Sequence, residues 1–210
     1  ILPLGRANNI AKSLGVVGSA ERLIAGWRNA RHRPFFPIAA EGPWGRQRLV
    51  EGLGFGALAQ AIDELRGGKL SVEEARRRVA ALIMHADTEA LDVRADGAAI
   101  SGLFVVFEVM TIRLVGPNLL LASCADPADG LVLSSVGASI DERQRLAGWL
   151  RQPEPVAPAP VTTRTARHVT VSGRPRRIRI DDQVRRNDEG GCETISQAPE
   201  EKPLYFLVPI

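Results

Sequence analysis

Three stretches of this chain carry side chains whose types and spacing could do chemistry. The first is Leu2-Pro3-Leu4-Gly5-Arg6-Ala7-Asn8-Asn9-Ile10-Ala11. A glycine turn that opens a helix gathers unpaired backbone N–H groups at one point, and such a point attracts phosphate or carboxylate. Gly5 would supply the turn, Arg6 a cation, and Asn8 and Asn9 neutral donors. A plain structural turn accounts for these residues equally well. The second is Cys124-Ala125-Asp126-Pro127-Ala128-Asp129-Gly130-Leu131-Val132. Two carboxylates three apart in a Pro/Gly turn suit a hard cation held by carboxylate and carbonyl oxygens, although an Asx turn leading into a strand is the simpler and favoured reading. The third is Arg176-Arg177-Ile178-Arg179-Ile180-Asp181-Asp182-Gln183. Alternating Arg and Ile predicts an edge strand with one wet basic face, ending in an acidic turn. Together with Arg164, Arg167, Arg174, Arg185 and Arg186 it could form a patch for anionic lipid headgroups or nucleotides.

Other chemistries find less support. His32, His85 and His168 are scattered without metal-ligand spacing and are expected to be surface or packing residues. Cys124 and Cys192 lie far apart, and two buried thiols in a reducing compartment are expected. Gly-x-Ser-x-Gly, His-Glu-x-x-His and P-loop sequences are absent, which argues against a serine hydrolase, a zinc protease and a Walker NTPase. The 210 residues include 27 Lys+Arg against 24 Asp+Glu and are 45% hydrophobic, a balance that fits a globular core and not a disordered chain. No run approaches the ~18 apolar residues of a membrane span, and no secretory signal opens the chain. Arg excess without aromatic–basic interleaving predicts no nucleic-acid partner.

The elements that must hold these stretches follow from periodicity. Residues 1–4 read as the end of a buried strand. Ala7, Ile10, Ala11 and Leu14 have helical spacing, with Gly15 placed as a C-terminal cap. A second helix is expected over residues 19–30, capped by Ser19, with Leu23, Ile24 and Trp27 on one face. Ser71-Val72-Glu73-Glu74 is a capping box opening a helix whose apolar face runs from Val72 to Ala86, opposite Arg76, Arg77 and Arg78. A shorter helix is expected over 141–151. Strands are expected at 35–39, 49–54, 103–110, 131–136, 167–171, 176–180 and 204–208. The proline-rich segment 152–160 reads as an extended bridge. From these signals alone the chain is a β-rich domain with a helical N-terminal stub.

The order of the motifs resembles the diacylglycerol kinase catalytic-domain family, soluble bacterial lipid kinases related to sphingosine kinases and NAD kinases. The similarity runs through Pro3-Leu4-Gly5-Arg6-Ala7-Asn8-Asn9, Gly52-Leu53-Gly54-Phe55-Gly56, Glu108-Val109-Met110-Thr111-Ile112, Gly116-Pro117-Asn118-Leu119, Pro127-Ala128-Asp129-Gly130-Leu131, Ile180-Asp181-Asp182-Gln183 and Leu207-Val208-Pro209. It implies a mainly β protein with helices, in which a C-terminal β-sandwich lipid-kinase domain (residues 37–210) follows a remnant (1–36) of an α/β nucleotide-binding domain. The initiating Met is missing, and the rest of that domain, with its Gly-Gly-Asp-Gly-Thr loop, is expected before residue 1.

By the same resemblance the substrates are ATP and a lipid alcohol, with Gly5, Arg6, Asn8 and Asn9 at the nucleotide. Mg²⁺ is implied at Asp129, with backbone oxygens from Asp126 and Leu131. The last turn implies catalytic duty for Asp182 and Gln183. Two departures stand out: Arg6 replaces a Thr that touches phosphate, and Gln183 replaces the Glu that accepts the lipid hydroxyl's proton. Gln cannot take a proton at neutral pH, and Asp181 or Asp182, in a shifted register, is the carboxylate that could stand in. The expected protein is an ATP-dependent lipid kinase, cytoplasmic and peripheral to the membrane, in transient contact with an anionic bilayer surface, with room for a homodimer. The alternative is a non-catalytic lipid- or nucleotide-binding regulator that has lost its base.

Overall fold

The computed structural model describes residues 1–209 apart from residues 6, 66, 69, 154–156 and 189. In chain order, α1 (Asn9–Ser13), α2 (Ala20–Ala25) and a 3-10 turn (Gly26–Asn29) precede β1 (Arg31–Phe35), β2 (Ile38–Gly42), β3 (Gly45–Leu49) and β4 (Gly52–Gly56). Helices α3 (Ala57–Leu65) and α4 (Val72–His85) lead to β5 (Glu89–Ala95), β6 (Ala98–Ala99) and β7 (Gly102–Met110). Then come β8 (Leu114–Val115), β9 (Leu119–Leu120), β10 (Leu131–Gly137) and α5 (Ile140–Leu150). The chain closes with β11 (Thr162–Ala166), β12 (Val169–Gly173), β13 (Arg177–Ile180), β14 (Gln183–Arg186), β15 (Glu193–Pro199) and β16 (Leu204–Val208).

Strand β7 organises the rest. Along residues 106–110 it pairs with β4, which continues to β13 and β14. Nearer its start it pairs with β5, which continues through β12 and β15 to β2 and β3. Its other edge carries β10 and then β11. All of these pairings are antiparallel, so the large sheet forks at β7 and curls over a core. Alternate residues of a strand face opposite ways. Phe107 and Val109 enter the core enclosed by the strands, while Val106 and Met110 face α3, α4 and α5. Covered on both sides, β7 reads as an unbroken apolar run except for Glu108, which shares the helix-side face.

Helices α2, α4 and α5 each begin at a serine, Ser19, Ser71 and Ser139, whose hydroxyl accepts from a first-turn N–H. At α4 the Ser71 hydroxyl accepts from the Glu74 N–H at 3.2 Å, while the Glu74 carboxylate accepts from the Ser71 N–H at 2.9 Å, the complete capping box. Helices α4 and α5 also cap each other's ends. Arg143 of α5 donates to the carbonyls of Ile83 (2.7 Å) and Ala86 (2.8 Å). Arg76 of α4 donates to those of Leu150 (3.3 Å), Trp149 (3.5 Å) and Gln152 (3.4 Å), its guanidinium lying over the Trp149 ring. Arg76 is therefore buried, not on the wet face expected from its spacing. The first helix ends as Gly15 predicts: at φ 76° it lets Val16 N–H reach back to the Ala11 carbonyl at 2.8 Å.

Several expectations need correction. Residues 1–4 form no strand. The strand at 35–39 is two strands broken at Phe36-Pro37, and β1 leaves the main sheet to pair with β16 in a separate two-stranded sheet. A small core of Ala11, Leu14, Val16, Leu23, Phe35, Ile112 and Val208 lies around that pair. The helix at 19–30 stops at Ala25, and Ile24 and Trp27 are exposed. The 49–54 segment is interrupted at Val50-Glu51, and Arg167-His168 is a turn between β11 and β12. Both cysteines are exposed. The Arg/Ile strand is the largest correction. It lies between β4 and β14, not at an edge, and Arg179 has no solvent exposure.

Candidate active-site cleft

The site is framed by three adjacent strands. Gly54 of β4 lies opposite both Arg179 of β13 and Glu108 of β7. A Cβ on Gly54 would overlap the Glu108 carboxylate, so glycine there leaves the space across which Glu108 reaches Arg179. Glu108 Oε2 accepts from Arg179 Nη2 at 2.5 Å and from Nε at 3.1 Å, with both side chains 0% exposed. Burial pushes the Glu108 carboxyl above its ordinary range, and Arg179 pulls it back only in part. Burial disfavours the Arg179 charge, but Glu108, Glu51 and Asp181 outweigh that and hold it above its ordinary value.

The guanidinium also holds the acidic turn between β13 and β14. Its Nη1 donates to the Asp181 carbonyl at 2.7 Å. Asp181 sits in the left-handed region at φ 52°, and its carboxylate accepts from the N–H groups of Val50, Glu51 and Gly52 at 2.8–3.2 Å. These bonds dock the turn onto the start of β4, and the Asp181 N–H returns one to the Gly52 carbonyl at 2.9 Å. The next two residues, Asp182 and Gln183, are exposed, and neither side chain has a hydrogen-bond partner among the described residues.

Glu51 is half-buried at this junction. Burial raises its carboxyl to about 7; Arg179 works against the rise, and Asp181, Asp182 and Glu108 add to it. The sequence reading missed Glu51, Arg179 and Glu108 as site residues. A legible signal did exist for one of them, since a lone Glu inside Val105-Val106-Phe107-Glu108-Val109-Met110 must find a buried partner.

At the N-terminus, Asn8 adopts φ 55° and its Oδ1 accepts from the Gly5 N–H at 2.7 Å, closing the turn. Asn9 is buried, and its Nδ2 donates to the Gly116 carbonyl at 3.1 Å. Arg6 lies outside the described residues. Asn9 thereby ties the first motif to the Gly116-Pro117 hairpin. Ala7, Gly116, Pro117 and Asp182 line one cleft of about 240 Å³, whose remaining walls are mainly apolar side chains of α3, α4 and the β8–β9 hairpin. Three motifs far apart in sequence thus meet at one opening.

Asp126, Asp129 and Leu131 line a different pocket, with Asp96 and Arg167. The Asp126 carboxylate accepts from Arg33 at 3.4 Å and from the Ala128 N–H at 3.0 Å, and its carbonyl accepts from the Asp129 N–H at 2.9 Å. Asp129 is exposed, and its carboxylate has no partner among the described residues. Leu131 is buried at the start of β10. No group of three or more His, Cys, Asp or Glu side chains forms a metal cage among the described residues. None of the described helices is long and apolar enough to cross a membrane.

No family model matches the chain, and no curated protein matches it significantly. Its fold does match solved structures. Three come from Bacillus anthracis strain Sterne, and their names call them diacylglycerol kinases. The first superposes with a TM-score of 0.62 at 14% identity, over 92% of this chain and 62% of that one. The others give 0.58 at 14% identity (94% and 62%) and 0.61 at 15% identity (94% and 65%). The chain therefore spans under two thirds of their length, and what it shares with them is the β-rich fold.

Proposed function

We propose that this chain is the C-terminal, substrate-bearing part of an ATP-dependent lipid kinase, transferring the terminal phosphoryl group of ATP to the hydroxyl of a diacylglycerol-like alcohol. The observation that carries the reading is the convergence of Ala7, Gly116-Pro117 and Asp182 on one mainly apolar cleft. A greasy alcohol needs apolar walls for its chains and a polar mouth for its hydroxyl, and this cleft offers both. The turn containing Gly5, Asn8 and Asn9 is joined to that cleft through Ala7 and the Asn9–Gly116 bond, and the nucleotide's phosphates would approach from there. The fold shared with structures named as diacylglycerol kinases supports the same assignment.

Phosphoryl transfer asks a protein mainly for alignment and charge balance. Here the alignment rests on the Glu108–Arg179–Asp181 frame, which fixes the acidic turn beside the cleft. Mg²⁺ would sit at the Asp126–Leu131 loop, although no group of three or more His, Cys, Asp or Glu side chains gathers there among the described residues. Because Arg33 and Ala128 occupy the Asp126 carboxylate, the cation would take the free carboxylate of Asp129 with the carbonyls of Asp126 and Leu131. Bound there, it would stiffen the entry to β10. Arg176, Arg177, Arg179, Arg185 and Arg186 are paired with carboxylates, so contact with an anionic bilayer would fall to the exposed Arg164, Arg167 and Arg174, which have no ion pair among the described residues.

The test is transfer from γ-labelled ATP to diacylglycerol and to sphingoid alcohols in mixed micelles, using the protein as its gene encodes it. Labelled lipid phosphate is expected. Absence of transfer to every alcohol would end the kinase reading. It would favour a second one, a lipid- or nucleotide-binding regulator, which rests on Gln183 standing where a base is wanted.

A further inference from the structure

The strand that begins at Gln183 has little of the sheet to hold it. β14 is four residues long and lies at the end of the large sheet, with β13 as its one strand neighbour among the described residues. That pairing also sets Arg177 directly opposite Arg186. Like charges facing each other across a ladder push the strands apart. One carboxylate answers both. Asp63 Oδ2 accepts from Arg177 Nε at 2.9 Å and from Arg186 Nε at 3.0 Å, with Arg186 Nη2 at 2.9 Å. The Asp63 side chain is only 12% exposed, so water screens these pairs less than it screens an ordinary surface pair.

Asp63 belongs to α3, whose Leu58, Ala61, Ile62 and Leu65 form one apolar wall of the cleft. The same helix packs on β4, β13 and β14. At the other end of the hairpin Asp182 lines that cleft, on a turn fixed by Arg179 and by the N–H groups of residues 50–52. The β13–β14 hairpin is therefore pinned at its tip by backbone groups and at its base by a side chain of the cleft's own wall.

We propose that Asp63 is a positioning residue of the transfer site: by gathering Arg177 and Arg186 it holds the hairpin bearing Asp182 and Gln183 against the helix that lines the cleft. The proposal rests on the lipid-kinase reading. Asp63 does not line the cleft and acts through the hairpin. A hydrocarbon chain seated against Leu58 and Ile62 places its hydroxyl relative to α3, whereas Asp182 and Gln183 are placed by β13 and β14. The two ion pairs join those frames. Without the Asp63 charge, the facing guanidinium groups repel and the edge strand β14 loosens from α3. A misplacement of about 1 Å costs on the order of 10²-fold in rate.

The experiment uses the protein as its gene encodes it, with 1,2-dioctanoylglycerol in mixed micelles as acceptor. It measures kcat, KM for ATP and hydrogen exchange over residues 177–186 in wild type, D63N, D63E and D63N/R177M/R186M, with near-ultraviolet circular dichroism giving the folded fraction. D63N is expected to lower kcat by about 10–10²-fold, with KM for ATP changed less than about threefold. Exchange in its hairpin should quicken about tenfold or more. D63E keeps the charge and should stay within about threefold of wild type. Removing both arginines from D63N removes the repulsion and should recover kcat about threefold or more. Wild-type transfer with D63N within about threefold of it overturns the proposal and leaves the kinase reading standing. So does a D63N that loses kcat only in proportion to its folded fraction, or a D63E as impaired as D63N. Should D63N fail to fold, the triple variant takes its place, and a wild-type kcat in it overturns the proposal. A wild-type protein that transfers nothing overturns both.

Discussion

Replacing Arg179 with Met tests the frame on which the site depends. The substitution keeps an unbranched apolar side chain of similar length and removes two bonds to Glu108 Oε2, at 2.5 and 3.1 Å, and one to the Asp181 carbonyl, at 2.7 Å. Glu108 Oε1 already lacks a hydrogen-bond partner, so the variant leaves a fully buried carboxylate with none. Breaking a buried pair by removing one partner costs about 3–5 kcal/mol, a large part of the ~5–15 kcal/mol that holds a domain together. With a urea m value of about 2–3 kcal/mol/M, the unfolding midpoint should fall by about 1–2 M. The carboxylate has one escape, which is to protonate, and burial already pushes it that way. A folded-state pKa above the unfolded one makes stability fall as pH rises, so R179M should be penalised more at pH 8 than at pH 5. The double variant E108L/R179M carries neither charge and should recover at least half of the loss. Urea unfolding followed by Trp fluorescence reads all of these. A midpoint for R179M within about 0.3 M of wild type, or losses that simply add in the double variant, would refute the reasoning.

Three further outcomes follow from the same geometry. In G54A the new Cβ meets the Glu108 carboxylate, which Arg179 prevents from moving aside; a loss of about 3 kcal/mol is expected, seen as a melting temperature about 6–12 °C lower. R143M leaves the carbonyls of Ile83 and Ala86 without their guanidinium, which should cost about 1–3 kcal/mol and speed hydrogen exchange in the last turn of α4. Because the folded protein binds a proton at Glu51 up to pH about 7 and the unfolded chain only up to about 4.5, wild-type stability should decline across that window by up to about 3 kcal/mol; E51Q should flatten the decline in a pH series of thermal melts.

Local rules made part of this fold legible. The Ser71 capping box, the Gly15 cap and the apolar run of β7 each encode their own structure within a few residues, and all three stand as read. The helix at 19–30 failed because Ile24 and Trp27, which share its apolar face, have no core to enter. Strand β5 was missed although Leu91, Val93 and Ala95 alternate inward, because Asp92 and Arg94 between them disguise it as polar chain. Arg76 and Arg179 were misplaced for a deeper reason. A charged residue reads as solvent-facing until its partner is known, and the partners lie 73–76 residues away for Arg76 and 71 for Arg179. The candidate site divides in the same way. The Gly5–Asn9 turn, Gly116-Pro117 and Asp182 were each visible as motifs, while their meeting at one cleft is a property of the folded chain alone.

Arg179 shows how one buried charge can hold two separate pieces of backbone in place. Arg179 holds the acidic turn through the Asp181 carbonyl, and the Asp181 carboxylate in turn holds the N–H groups of residues 50–52. One guanidinium therefore fixes both the strand end that carries Gln183 and the strand start that carries Glu51. Neither Gln183 nor Glu51 contributes a side chain to that lattice, so either can be exchanged without dismantling it. That lattice is built from one buried guanidinium, the carboxylates of Glu108 and Asp181 and backbone groups, so the exposed Asp182 and Gln183 sit on a turn whose position does not depend on their own side chains.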